Sequence, residues 1–169
     1  MLLYNKAFDV NHTALRICTW LANSPSNEIS IERIRIYDFL IAFPSHISKM
    51  ALGKDLIKLR NEYKAFNNPY NSFNAQSLFH RMEGIQKSAI YSIFSLGLLN
   101  RESDSIYSFN KEEIDRAFEI NKTSYTSINT EVINFIINTL EPMPFFGTHG
   151  IKAASKLLEY KYDRNETNT

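Results

Sequence analysis

Catalysis or metal chemistry in this chain would have to come from a small set of residues. The four histidines, His12, His46, His80 and His149, are scattered, and none has a second His or Cys at the i,i+3 or i,i+4 spacing that builds a metal face on a helix. The one cysteine, Cys18, falls on the apolar stripe of a helical pattern, where a buried small hydrophobe is expected rather than a nucleophile. Two Glu-x-Lys triplets, Glu62-Tyr63-Lys64 and Glu159-Tyr160-Lys161, have the form of a nuclease motif whose Glu shares Mg²⁺ with an upstream Asp, here Asp38 or Asp55. That motif belongs on a strand pair, and both triplets fall in helical patterns, so surface ion pairs are expected instead. Gly147 and Gly150, in FFGTHGIK, open a helix without the spacing of a phosphate loop. No serine elbow is present. Neither an enzyme, a metal site nor a cofactor site is expected.

The residue that most needs an explanation is Asp38. It stands in residues 29–44, ISIERIRIYDFLIAFP, and from Ile36 to Phe43 it is the only residue that is not apolar. An unpaired buried charge is costly enough that the group would sooner neutralise, so Asp38 needs a partner. Arg35 one turn earlier, or an Arg or His from another helix, would serve. Two roles are open for Tyr37, Asp38 and Phe39: a structural anchor in the core, or part of a protein interface.

The elements that must position these residues are mostly helical. A first helix is expected after Asn11, with Leu15, Cys18, Leu21 and Ala22 on one face, ending at Ser24-Pro25. Ser30 is the expected cap of the second, with Glu32 in its first turn and Pro44 as its stop. Shorter helices follow to Tyr63, then a turn-rich linker at 66–73, FNNPYNSF. Asn74 caps a helix bearing Leu78, Phe79 and Met82, and Glu83-Gly84 offers a turn into another bearing Ile85, Ala89, Ile90, Ile93 and Leu96. The stripe 78, 82, 85, 89, 93, 96 runs straight through Gly84, so one continuous helix is also open.

Gly97 is placed to end that stretch in a left-handed conformation, and 98–101 and 105–109 then form two short strands around a polar turn. Helix, turn, helix and hairpin is the winged-helix order. Asn110 caps the next helix, with Glu113 in a capping-box position. A polar linker at 121–127 leads to an amphipathic helix ending at Pro142 and Pro144. A last helix begins near 147–150 and carries Ile151, Ala154, Leu157, Leu158 and Tyr162.

The expected fold is therefore mainly α with a small β-hairpin: a winged-helix-like core with additional N- and C-terminal helices. One domain should span 1–162, with the winged-helix-like unit at about 74–119 and a disordered tail at 163–169. Nineteen basic residues against eighteen acidic ones leave a formal charge of +1, so no global field attracts a polyanion. A lone cysteine, no signal-peptide pattern and no apolar run near ~20 residues point to the cytoplasm and away from membranes. In the winged-helix reading the exposed contact face would carry Gln86, Lys87, Tyr91 and Ser95, with Arg101 from the wing beside Glu102 and Asp104. So few cations suit protein contact better than sequence-specific DNA binding.

Taken together, Ile34, Asp38, Phe39, Ile41, Phe43 and Pro44, followed by Gln86, Ala89, Leu96, Gly97, Leu98 and Leu99, resemble the middle component of bacterial ABC-three-component systems. The subset most similar is the Lamassu-type, LmuC-like defence subunit, and the resemblance spans about Ala7 to Glu119. A Tyr often follows the Asp in that pattern, where this chain has Phe39. The resemblance implies a non-catalytic adaptor that joins an SMC- or Rad50-like ABC ATPase to a nuclease effector in anti-phage or anti-plasmid defence. It would bridge the ATPase heads and couple DNA sensing to the effector, meeting DNA only through the complex. The alternative is a free-standing winged-helix transcriptional regulator.

Overall fold

The computed structural model describes residues 5–66, 69–122 and 128–158, and the following elements are found there. Helix α1 (Val10–Asn23) leads to a short strand β1 (Glu28–Ser30) and directly into α2 (Ile31–Ala42). A 3₁₀ segment (Pro44–Lys49) and a short α3 (Ile57–Glu62) precede the long α4 (Ala75–Ser95). Strands β2 (Leu99–Arg101) and β3 (Ile106–Phe109) follow, then α5 (Lys111–Phe118), α6 (Thr130–Phe135) and α7 (Ile151–Ser155).

Several starts and stops follow the local chemistry of the sequence. Asn74 Oδ1 accepts from the Ser77 amide, Asn110 Oδ1 from that of Glu113, and Ser30 Oγ from that of Arg33, so each short polar side chain satisfies a helix donor that has no intrahelical acceptor. The cap of α1 is Asp9 rather than Asn11; its carboxylate accepts from the His12 amide at 2.9 Å. Gly97, at φ +74°, provides the left-handed residue that turns the chain from α4 into β2.

No turn divides α4. Gly84 lies inside a single helix of 21 residues, and the helix-turn-helix expected within 74–119 is corrected accordingly. The reason is the apolar stripe: Leu78, Phe79, Met82, Ala89, Ile90 and Ile93 bury one continuous face, and that burial outweighs one glycine's helix cost of about 1 kcal/mol.

The sheet has a third strand that the sequence reading placed in the second helix or before it. β1 pairs antiparallel with β3, Ile29 opposite Tyr107, and β3 pairs with β2, giving the order β1-β3-β2. The core is a single apolar cluster in which α1 packs against α4 and α5, and α2 against α1 and α4. Trp20, Tyr37, Phe39, Phe43, Tyr63 and Phe79 are its largest wholly buried side chains.

At the C-terminal side, α6 passes into a π-helical turn (Ile136–Leu140), closed by the Glu141 amide on the Ile136 carbonyl at 2.8 Å. Glu141 ties this turn to α1: its carboxylate accepts from Trp20 Nε1 at 2.5 Å and from Ser24 Oγ at 3.0 Å. Arg33 of α2 reaches the Met143 carbonyl at 2.8 Å. Part of the 121–127 linker, Tyr162, the second Glu-x-Lys triplet and the 163–169 tail lie outside the described residues.

Because Gly84 is helical and a Cβ there would meet nothing within 4 Å, Gly84→Ala should raise stability by about 0.5–1 kcal/mol in a thermal or urea melt. A loss of stability would restore the turn at that position.

Candidate functional site: a buried ionic cluster and the groove above it

Asp38 has its partner in Arg16, a residue that the sequence reading did not single out. Arg16 Nε donates to Asp38 Oδ1 at 2.7 Å, and the two side chains are 6% and 0% exposed. The other guanidinium nitrogens are also engaged: Nη1 on the Lys6 carbonyl at 3.0 Å and Nη2 on Thr13 Oγ1 at 2.8 Å. Thr13 in turn donates to the Asp9 carbonyl at the start of α1. Arg16 was hidden because it shares the buried face of α1 with Thr13, Ile17 and Trp20, where an apolar side chain is the default expectation.

The second carboxylate oxygen is filled from α4. Gln86 Nε2 donates to Asp38 Oδ2 at 2.9 Å and to the Arg35 carbonyl at 3.0 Å, while Gln86 Oε1 accepts from Arg35 Nε at 3.1 Å. Gln86 is wholly buried, so it leaves the exposed contact face on which the sequence placed it and joins Asp38 instead. Arg35 does not pair with Asp38. Its guanidinium lies 4.6 Å from the Phe79 ring centre, and Nη1 is 3.8 Å from Glu83.

Tyr37 and Phe39 flank this cluster. Tyr37 meets Trp20 edge-to-face at 5.0 Å, and its hydroxyl accepts from Arg33 at 2.9 Å; burial raises its pKa. Phe39 packs against Phe43, Phe79 and His46. Tyr37, Asp38 and Phe39 are all 0% exposed, so this chain's own helices cover them and no atom of theirs is open to a partner.

Of the other residues of the expected contact face, Ser95 stays outside and three come together. Lys87, Tyr91 and Arg101 line one groove of about 400 Å³ with Ile31, Ile90, Phe94 and Tyr107. Two of its aromatic lining residues are open to solvent: Tyr91 is 70% exposed and Phe94 40%. Lys87 Nζ is 2.6 Å from Glu83, which holds that carboxyl below its usual range, with Arg35 helping. Arg101 bonds Asp104 at 2.7 Å on the hairpin.

His12 and His80 each have a carboxylate three residues away, Asp9 and Glu83, but Asp9 caps α1 and Glu83 pairs with Lys87. Among the described residues no group of three or more His, Cys, Asp or Glu side chains could hold a metal ion. Cys18 is buried, which pushes its thiol up to about 12. The amides of Ile151 and Lys152, in the first turn of the helix that Gly147 and Gly150 precede, donate to the carbonyls of Pro144 and Phe145. A larger hollow of about 500 Å³ lies beside β1, but Arg33 and Glu141 there are engaged as described above.

The fold thus defines a small, mainly helical protein with a buried ionic cluster inside an apolar core and an apolar groove at its surface. The chain belongs to the family described as ABC-three component (ABC-3C) system Middle Component 5, whose model matches residues 2–163. It is accordingly a middle component of an ABC-3C system, working alongside the other components of such a system. No curated protein and no solved structure matches it. No helix among the described residues is long and apolar enough to cross a membrane.

Removing Asp38 strands the Arg16 charge in the core, so Asp38→Ala should cost about 3–5 kcal/mol in a urea melt. Combining it with Arg16→Met should cost at least about 1 kcal/mol less than the sum of the two single changes; additive losses would show that the pair is not coupled.

His46 supplies a separate pH test. It is 4% exposed, and burial, then the nearby Lys49 charge, lowers its pKa to about 4 from 6.5. The unfolded state therefore binds the proton more readily, so the stabilisation is complete above pH 6.5 and is lost as pH falls toward 4. The loss should reach about 3 kcal/mol, at ~1.4 kcal/mol per unit. Melts from pH 7 to pH 4 on the native chain and His46→Gln should diverge; parallel curves would contradict this.

Proposed function

We propose that this middle component is a non-catalytic adaptor of a Lamassu-type system, with the role of an LmuC-like subunit. It joins an SMC- or Rad50-like ABC ATPase to a nuclease effector, so that head movement driven by ATP or DNA changes how the effector is held. The observation that carries this reading is the exposed apolar end of α4. Tyr91 and Phe94, whose ring centres lie 6.5 Å apart, offer a solvent-facing aromatic patch on the groove, as a protein-docking surface requires. The buried polar groups support it too, because Arg16, Asp38 and Gln86 are engaged with one another, which suits a rigid part better than a reactive one.

The order α1, β1, α2, α4, β2, β3 with strands arranged β1-β3-β2 supports a winged-helix frame across about 10–109. Residues 43–74 would then be an insertion between its second and third helices. That same order is what favours the second reading, a free-standing winged-helix DNA-binding regulator. Against it, Lys87 and Arg101 on the groove already lie on Glu83 and Asp104, which leaves little charge for phosphates.

Co-expression with the ATPase from the same operon tests the choice. The chain should co-purify with it and show no nuclease or ATPase activity alone. Tyr91→Ser should sharply weaken co-purification while moving stability by no more than about 0.5 kcal/mol, since that side chain is largely exposed. Undiminished co-purification of that variant would remove the groove from the interface. Salt-dependent, sequence-specific binding of DNA by the free chain would favour the regulator.

A further inference from the structure

The groove between α4 and the hairpin is lined by four polar side chains, and all four end in hydrogen-bond donors. Lys87 and Tyr91 come from α4, Arg101 from β2 and Tyr107 from β3. Arg101 and Tyr107 are paired in register, which puts their side chains on one face of the sheet. An ammonium and a guanidinium can only donate, and a tyrosine hydroxyl has one proton to give. Among the described residues no Asp, Glu, Asn or Gln lines the groove. The rest of its wall is Ile31, Ile90 and Phe94, so the donors border an apolar surface.

Much of that donor capacity is unused within the chain. Lys87 Nζ meets Glu83, and Arg101 reaches the Ser103 carbonyl through Nε and Asp104 through Nη2, but neither Glu83 nor Asp104 lines the groove. Among the described residues Arg101 Nη1 and the hydroxyls of Tyr91 and Tyr107 have no hydrogen-bond partner. Both ion pairs are open to water, with the Lys87 and Arg101 side chains 58% and 55% exposed, and such pairs contribute little and exchange partners readily. Two cations are too few to follow a phosphate backbone, which takes several along its length. They are enough for one carboxylate, whose two oxygens accept from ammonium, guanidinium and hydroxyl donors alike.

We propose, on the reading that a partner subunit docks here, that the docked segment lays large apolar side chains on Ile90, Tyr91 and Phe94 and places an Asp or Glu side chain between Lys87 and Arg101. The apolar part covers the exposed rings, and the carboxylate fixes the register of the segment along the groove. A second copy of this chain fits the groove poorly. A two-fold interface would set one groove against the same groove, donors against donors, with no carboxylate from either lining.

The test uses the full chain in complex with the ATPase and effector of its own system, treated with a carbodiimide that joins an amine to a carboxylate in contact with it. Mass spectrometry should find Lys87 linked to an Asp or Glu of a partner subunit, within a stretch rich in large apolar residues. Lys87→Gln with Arg101→Gln should weaken the affinity for the partner by about tenfold or more, and Lys87→Arg, which keeps the charge, should stay within about threefold of the native chain. Both side chains are exposed, so the melts should not move. A Lys87 that links only to Glu83 of its own chain, or a double variant that binds as the native chain does, would overturn the acidic occupant. Tyr91→Ser separates this failure from loss of the docking surface. If Tyr91→Ser weakens binding and the double variant does not, the surface stands and the carboxylate is wrong; if neither weakens binding, the surface itself is removed. A dimer of the free chain that Tyr91→Ser disperses would give the groove to a second copy and overturn the proposal.

Discussion

The structure depends on burying one ion pair, Arg16 of α1 with Asp38 of α2, residues 22 apart in sequence. Two charges removed from water repay their desolvation only where the geometry is good and the remaining hydrogen-bonding positions are filled. Here they are filled: Lys6 and Thr13 on the Arg16 side, Gln86 on the Asp38 side, and Arg35 on the far end of Gln86. Three helices therefore meet through side chains that accept little displacement. An apolar core of similar volume would tolerate sliding and repacking; a slip of one residue in α2 would leave a buried charge without its partner.

That constraint sets where the surface lies. Gln86 holds the middle of α4 against α2, so the outward face of the next two turns carries Tyr91 and Phe94 toward the hairpin. Polar contacts also lead outward, from Gln86 through Arg35 to Glu83 and on to Lys87 at the groove. On the opposite side, Glu141 and Arg33 bind the π-helical turn and the loop after it to α1 and α2. Burial pushes the Glu141 carboxyl up while the Trp20 and Ser24 donors pull it down. The chain after α6 is thereby attached by directed hydrogen bonds as well as by apolar packing.

Local signals were readable where one or two residues decide the backbone. Ser30, Asn74, Asn110 and Gly97 perform the capping and turning roles that their side chains suit. The strands of the hairpin were legible for the same reason, as neighbours joined by a short polar turn. β1 was not: three residues cannot display an alternation, and its partner β3 lies nearly eighty residues away. Gly84 misled because its helix cost is local whereas the stripe that overrides it is tertiary. Asp38 could be identified as needing a partner, yet Arg16 sat in a stripe where burial predicts apolar residues, and Gln86, being polar, was assigned to the exposed face. Only the three-dimensional meeting of α1, α2 and α4 explains them.

The proposed docking of a partner subunit on the end of α4 is tested most directly by hydrogen exchange. The free chain should be compared with the chain bound to the ATPase and effector of its own system. Amides in 87–101 should become more protected in the complex, while those around Arg16, Asp38 and Gln86 should be slow to exchange in both states. Protection confined to other faces, with 87–101 unchanged, would contradict the assignment of this surface.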